Sequence, residues 1–298
     1  TNTLNKPPTI TGDVSNKTAT PDTGFIFTPV ISYGGDVDVQ LLEVSLTFDG
    51  GTVANLPAWL SFNPSTGVLS GVPSNDDFGT ISNIILTVSD GLETASLTAF
   101  GITVVDTRAP NTLAVPAGGN FNDSVDVRLF CLENIGSGCD TIRYTTDDAA
   151  LKSAFSAVTA STTTITIDSA SGNTNLRFYS RDANGNEGTI VTESYNFDLD
   201  YPVINITDPI AGALLDTLNA ISGTSSDTGT GVNQVRIQIT DGINSVQSPG
   251  ADLTDGDPVW LPVATSDSYA TWSYPRGSIT WVPDTDYIIT ASAIDDAG

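Results

Sequence analysis

Three segments of the chain run an alternating strand into an acidic, glycine-containing turn. They are Thr87-Val88-Ser89-Asp90-Gly91, Phe178-Tyr179-Ser180-Arg181-Asp182-Ala183-Asn184-Gly185 and Ala291-Ser292-Ala293-Ile294-Asp295-Asp296-Ala297-Gly298. The turns recur at intervals of roughly a hundred residues, about the length of one immunoglobulin-like sandwich. A quasi-period that long predicts serial β-modules, each closing its own core, in place of one large fold. The length of 298 residues agrees, since it fits roughly two or three ordinary domains.

Two-residue alternation dominates the rest of the chain, as in Ile84-Ile85-Leu86-Thr87-Val88, Val125-Asp126-Val127-Arg128-Leu129, Thr163-Thr164-Ile165-Thr166-Ile167 and Val235-Arg236-Ile237-Gln238-Ile239. That period puts successive side chains on opposite faces of a strand. Polar clusters such as Ser74-Asn75-Asp76-Asp77 and Asn184-Gly185-Asn186 punctuate the strands as turns. Only residues 147–158 carry a pattern compatible with a short helix. The fold class read from this is all-β, three serial immunoglobulin-like or cadherin-like β-sandwiches. At Val105-Asp106-Thr107-Arg108-Ala109-Pro110 and Phe197-Asp198-Leu199-Asp200-Tyr201-Pro202 an Asp closes one alternating run and a Pro stiffens the entry to the next. Modules are therefore expected over 1–106, 107–200 and 201–298.

With 35 acidic and 10 basic residues the formal charge is -25. Phosphate contacts need clustered Lys and Arg, so nucleic acid is excluded as a partner, and anionic membrane surfaces with it. No apolar run is long enough for a transmembrane helix, so no membrane insertion is expected of this segment. An acidic, lysine-poor surface suits a secreted or cell-surface protein and also suits capture of hard divalent cations. The missing initiator Met and the stop just after an acidic turn read as an excerpt from a longer precursor.

Cys131 and Cys139 are the only cysteines. Metal or redox chemistry is one reading of them. Their spacing and the absence of histidine do not make a zinc site, and the secreted character favours a structural disulfide. Such a bridge would close a short loop through Gly136-Ser137-Gly138, worth about 2–3 kcal/mol by loop entropy. Ser-His-Asp and Cys-His catalysis are impossible within a chain that has no histidine. Acids concentrated in turns favour a solvated face over a paired-carboxylate active site, so no catalytic residue is assigned and the chain is read as no enzyme.

The first module strings together Asn5-Lys6-Pro7-Pro8, Leu56-Pro57-Ala58-Trp59-Leu60-Ser61-Phe62, Ser65-Thr66-Gly67-Val68-Leu69-Ser70-Gly71-Val72-Pro73 and Val88-Ser89-Asp90-Gly91. It resembles the dystroglycan-type cadherin-like, or immunoglobulin-like, domain of bacterial surface proteins, with Trp59 and Leu60 as core plugs. The second, with Ile142-Arg143-Tyr144-Thr145-Thr146-Asp147 and the paired cysteines around Ser137-Gly138, resembles the chitobiase/β-hexosaminidase C-terminal-like sandwich. That resemblance implies an accessory module without catalytic residues, and the cysteine pair of its pattern implies the disulfide. The third, with Ile221-Ser222-Gly223-Thr224, Gly231-Val232-Asn233-Gln234-Val235 and Ala293-Ile294-Asp295-Asp296-Ala297-Gly298, resembles the immunoglobulin-like repeats of long bacterial extracellular proteins.

Calcium is the candidate cofactor. The run Asp182-Ala183-Asn184-Gly185-Asn186-Glu187 offers oxygens at alternate positions, the spacing that wraps a loop around a hard cation; a plain Asx-rich hairpin turn is the other reading. Asp106, together with Asp36, Asp38, Asp77 or Asp90, would gather at a sandwich pole, and Asp198 and Asp200 would do the same at the second junction. Cadherin-like domains stiffen their linkers in this way. A sugar platform of Trp260, Trp272 and Trp281 is weighed against core packing, since Trp272 and Tyr274 share one strand face.

These readings converge on a non-catalytic stalk or adhesion scaffold of a secreted or cell-surface bacterial protein, stiffened by Ca²⁺. The alternatives are a carbohydrate-binding region of a secreted glycan-degrading enzyme or a subunit of an extracellular filament or sheath. The expected partners follow from these: a surface ligand or glycan, or further copies of the chain.

Overall fold

The computed structural model describes residues 5–34, 41–133, 135–215, 218–247, 253–255, 257–275 and 281–298. Every strand that it contains pairs with strands of its own third of the chain, so that no named ladder crosses residues 105–110 or 198–202. Three separate hydrophobic clusters follow the same partition. The architecture is all-β, with immunoglobulin-like sandwiches in series.

In the first sandwich the strand Gly79–Ser89 runs between Glu43–Phe48 and Phe100–Val104. Its alternation aims Ile84, Leu86 and Val88 inward, where all three are fully buried against Leu46, Leu69 and Ile102. Each such side chain contributes about 1.5–3 kcal/mol on leaving water. The opposing sheet joins Phe25–Phe27, Leu69–Gly71 and Leu60–Phe62. Leu60 is buried and Trp59 lies half-buried, edge-on to Phe25 at 6.1 Å between ring centroids. Gly71 can only be glycine, because a Cβ there would run into the Trp59 carbonyl.

The second sandwich packs a three-stranded sheet, Asn111–Val115, Val125–Leu132 and Thr162–Ile167, on a five-stranded one built around Thr174–Asp182 and Cys139–Thr145. Leu129, Ile142, Leu176, Phe178 and Tyr195 fill the interior, and Tyr195 Oη donates to the Pro116 carbonyl. Cys131 and Cys139 form a disulfide that ties the two sheets at one pole. The helix allowed by residues 147–158 does not form; the segment holds a 3-10 turn, Lys152–Ala154, and the strand Ser156–Val158. The reason lies in its neighbours. Arg177 Nη1 donates to the carbonyls of Asp147, Asp148 and Ala150, which a helix would need, and Phe155 packs against Tyr179 with ring centroids 5.5 Å apart.

The third sandwich pairs Ala220–Ser226 with Val203–Asp208 and Thr271–Pro275, and faces them with Val232–Thr240 and Ile288–Asp295. Val235, Ile237 and Ile239 alternate inward to meet Trp272 and Tyr274.

In the first two sandwiches a short early strand lies parallel to the last one: Lys17–Ala19 beside Phe100–Val104, and Gly119–Phe121 beside Val191–Phe197. Each last strand thereby carries its final residues to the pole that faces the next module, and the junction aspartates sit just beyond.

Candidate metal centre

Asp106 follows the last strand of the first sandwich and is 4% exposed. Its Oδ1 accepts the Arg108 N–H at 2.9 Å, and its Oδ2 accepts the Ser137 N–H of the second sandwich at 2.7 Å. Asp182 ends the strand Thr174–Asp182 and is 0% exposed. Its two oxygens accept the backbone and side-chain N–H groups of Asn186, each at 2.7 Å. Glu133 stands one residue past the strand Val125–Leu132. One oxygen of each of these three carboxylates lies within 4.8 Å of the others.

Glu133 is the anomaly of the group. Both its carboxylate oxygens are shut off from solvent and meet no hydrogen-bond donor at bonding geometry. Burial, and then the charges of Asp106 and Asp182, push its carboxyl above the usual range. Burial works to raise Asp106 as well, but the N–H groups of Arg108 and Ser137 outweigh it and hold that carboxyl low. Within 4.8 Å and at an effective dielectric near 20, each ionised carboxylate pair repels by at least about 3.5 kcal/mol.

The second junction repeats the arrangement. Asp198, just beyond the strand Val191–Phe197, accepts the Asp200 N–H at 3.2 Å on Oδ1 and the Thr230 N–H on Oδ2. The Thr230 N–H is the main influence that holds its carboxyl low. Asp295 ends the strand Ile288–Asp295, and its Oδ1 accepts the N–H groups of Ala297 and Gly298 at 3.0 and 2.7 Å. Asp227 completes the group; its Oδ2 accepts from Gly229 and Gly231, and its Oδ1 is buried without a partner. Asp198, Asp227 and Asp295 again bring one oxygen each within 4.8 Å of one another.

Both centres therefore use one plan: an aspartate from the junction, one from a strand end of the following sandwich, and a third acid from a glycine loop. The glycines make room. A Cβ on Gly136 would run into Glu133 Oε1 and Asp106 Oδ2, and one on Gly229 into both oxygens of Asp198. In each case the residue after that glycine donates its N–H to the junction aspartate. The donor sets fit a hard divalent cation. Oxygens bound to one Ca²⁺ at 2.3–2.6 Å sit no more than about 5 Å apart, and carboxylates are its preferred ligands.

The other candidate residues fall elsewhere. Asp36 and Asp38 lie outside the described residues. Asp90 sits at the far end of the eleven-residue strand Gly79–Ser89, whose first residue pairs with Val104. A strand of that length separates it from Asp106 by roughly 35 Å. Its Oδ1 accepts the N–H groups of Leu92 and Glu93, and Asn5 Nδ2 donates to its Oδ2. Asp77 shares the pole of Asp106 but caps its own 3-10 turn through Ser74. The Asn184 and Asn186 amides donate to the Asp106 carbonyl at 3.5 and 3.0 Å, so they brace the junction. Asp200 is exposed and accepts from Thr228 Oγ1. The tryptophans make no common platform. Trp272 is 2% exposed in the core, Trp281 packs against that core edge-on to Tyr287, and Trp260 is 37% exposed beneath the Arg236 guanidinium.

Glu133, Asp227 and Asp295 are not singled out as ligands by the sequence reading. Glu133 lies in the cysteine loop with no alternation around it, and Asp227 reads as part of a Ser/Thr/Gly turn. The usable signal was an acid two or three residues before a glycine, repeated at both junctions.

Residues 7–105 match the family model described as "Putative Ig domain". No curated protein matches the sequence. Among solved structures, domains A168–A170 of titin align over 98% of this chain and 94% of their own, at 11% identity and a TM-score of 0.46. The Clostridium thermocellum CbhA fibronectin(III)-like modules align over 64% of this chain and 93% of theirs, at 11% identity and a TM-score of 0.28. The N-terminal four Ig domains of Dscam1 isoform 9.44 align over 64% of this chain at 11% identity and a TM-score of 0.42, and the chain spans 45% of their length.

Proposed function

We propose that the chain is a non-catalytic spacer of an extracellular bacterial protein, a series of β-sandwiches whose junctions are locked by Ca²⁺. The observation that carries this reading is Glu133, a carboxylate whose oxygens are shut off from water with no hydrogen bond of normal geometry, held against two buried aspartates at a junction. Such a group is costly unless protonated or paired, and a divalent cation pairs all three at once. The matching cluster at Asp198, Asp227 and Asp295 supports the same role at the other junction. Each cluster takes ligands from both sides of a junction, so an ion there would resist bending between neighbouring sandwiches. The sequence has no histidine and both its cysteines are in the disulfide, which supports a mechanical over a catalytic role.

The test is thermal unfolding and small-angle scattering of metal-stripped protein, before and after millimolar Ca²⁺. A rise of several degrees with a longer, stiffer particle is expected. Identical melting and scattering in both conditions would defeat the proposal.

A further inference from the structure

The two centres differ in how the loop that carries the third acid is held. At the second junction Asp227 fixes its own loop, because its Oδ2 accepts the Gly229 and Gly231 N–H groups at 3.0 and 2.8 Å. Glu133 accepts no hydrogen bond of normal geometry from its own loop. Its loop is closed instead by the bridge between Cys131 and Cys139, eight residues apart in sequence. Among the described residues, what the loop gives the first junction lies between those two sulfurs. Glu133 supplies the carboxylate. Gly136 leaves space for it. Ser137 donates its N–H to Asp106 at 2.7 Å, while its Oγ accepts the Asn184 N–H at 3.1 Å. The Gly138 carbonyl accepts the Ala183 N–H at 3.0 Å.

We infer, resting on the cation reading above, that the Cys131–Cys139 disulfide is the positioning element of the first centre, so that opening it unloads the first junction and spares the second. The chemistry is a two-electron reduction. A dithiol passes two electrons and two protons to the bridge, becomes a disulfide itself, and leaves Cys131 and Cys139 as thiols. The loop that carries Glu133 is then held to the junction only by the hydrogen bonds of Ser137 and Gly138. The repulsion from Asp106 and Asp182 drives it outward, and the three-carboxylate set is lost. A stalk built this way would stay stiff at its first joint in an oxidising medium and loosen there in a reducing one.

Calorimetric titration of the metal-stripped full chain with Ca²⁺ alone tests this. The disulfide-bonded protein is expected to take up two ions. The Cys131→Ser/Cys139→Ser double variant, and wild type treated with dithiothreitol, should keep one site unchanged. The other should weaken about 10- to 100-fold, the range for losing groups that orient metal ligands. Asp198→Asn in the disulfide-bonded protein should remove the site that survives reduction, which assigns it to the second junction. The unchanged site also reports that the reduced protein remains folded. Two undisturbed sites after reduction, or loss of both, would overturn the inference while leaving the cation reading intact. Absence of any uptake by the oxidised protein would overturn the cation reading itself.

Discussion

Glu133 sets the sharpest expectation at the scale of single residues. Its folded-state carboxyl is pushed above the ordinary value of 4.5. A group raised in this way stabilises the fold while protonated, and that contribution is lost as pH rises through the folded value. In metal-stripped protein at pH 7, Glu133→Gln should therefore raise Tm, and the gain should vanish near pH 4. In millimolar Ca²⁺ the order should invert, with wild type melting higher. Differential scanning fluorimetry over those three conditions checks the sign, and a variant that melts below wild type throughout would refute it. Asp198 runs the other way. Its carboxyl is held low, so its contribution is present above the unfolded value of 3.8 and is lost as pH falls. Gly229→Ala offers a purely steric probe, since Gly229 is not among the glycines with positive φ. Its added methyl would collide with both Asp198 oxygens. A loss of about 1–3 kcal/mol, the usual cost of overpacking, is expected in denaturant titrations, together with loss of one Ca²⁺ site.

At the scale of elements, strands were legible and loops were not. The alternation in Ile84-Ile85-Leu86-Thr87-Val88 and in Val235-Arg236-Ile237-Gln238-Ile239 marks which residues face inward, because a half-buried strand needs that period. Leu86→Ala should accordingly cost about 2–5 kcal/mol, read as earlier unfolding of the first sandwich alone. Breaking the disulfide should cost the second sandwich about 2–3 kcal/mol by the loop-entropy argument. Residues 147–158 misled for a physical reason. Local propensity allowed a helix there, but the Arg177 guanidinium on the neighbouring sheet captured the carbonyls. The junction centres were half legible. Asp106, Asp182 and Asp198 could be read from strand ends and Pro-containing linkers. Glu133 and Asp227 come into place only when a loop folds back across a junction, and no local pattern records that. The amides of Asn184 and Asn186 show the converse. Their spacing looks like a ligand loop, and the fold uses them as donors to the preceding module.

For the whole molecule, the partition of strands and cores into three sets means that each sandwich has its own cooperative interior. Scanning calorimetry of metal-stripped protein is expected to resolve more than one transition. Ca²⁺ should draw the transitions together by coupling neighbours through shared ions, and a single transition unaffected by Ca²⁺ would contradict this.

The parallel pairs Lys17–Ala19 with Phe100–Val104, and Gly119–Phe121 with Val191–Phe197, have a further consequence when the chain is pulled from its ends. In each pair the chain enters at one pole and leaves at the other. Tension therefore slides one strand lengthwise past its neighbour, and every rung of the ladder resists simultaneously. An antiparallel terminal pair would peel open one rung at a time. In the third sandwich, among the described residues, the last strand Ile288–Asp295 pairs only with Val232–Thr240, antiparallel. Under a rising load the first two sandwiches behave as shear joints.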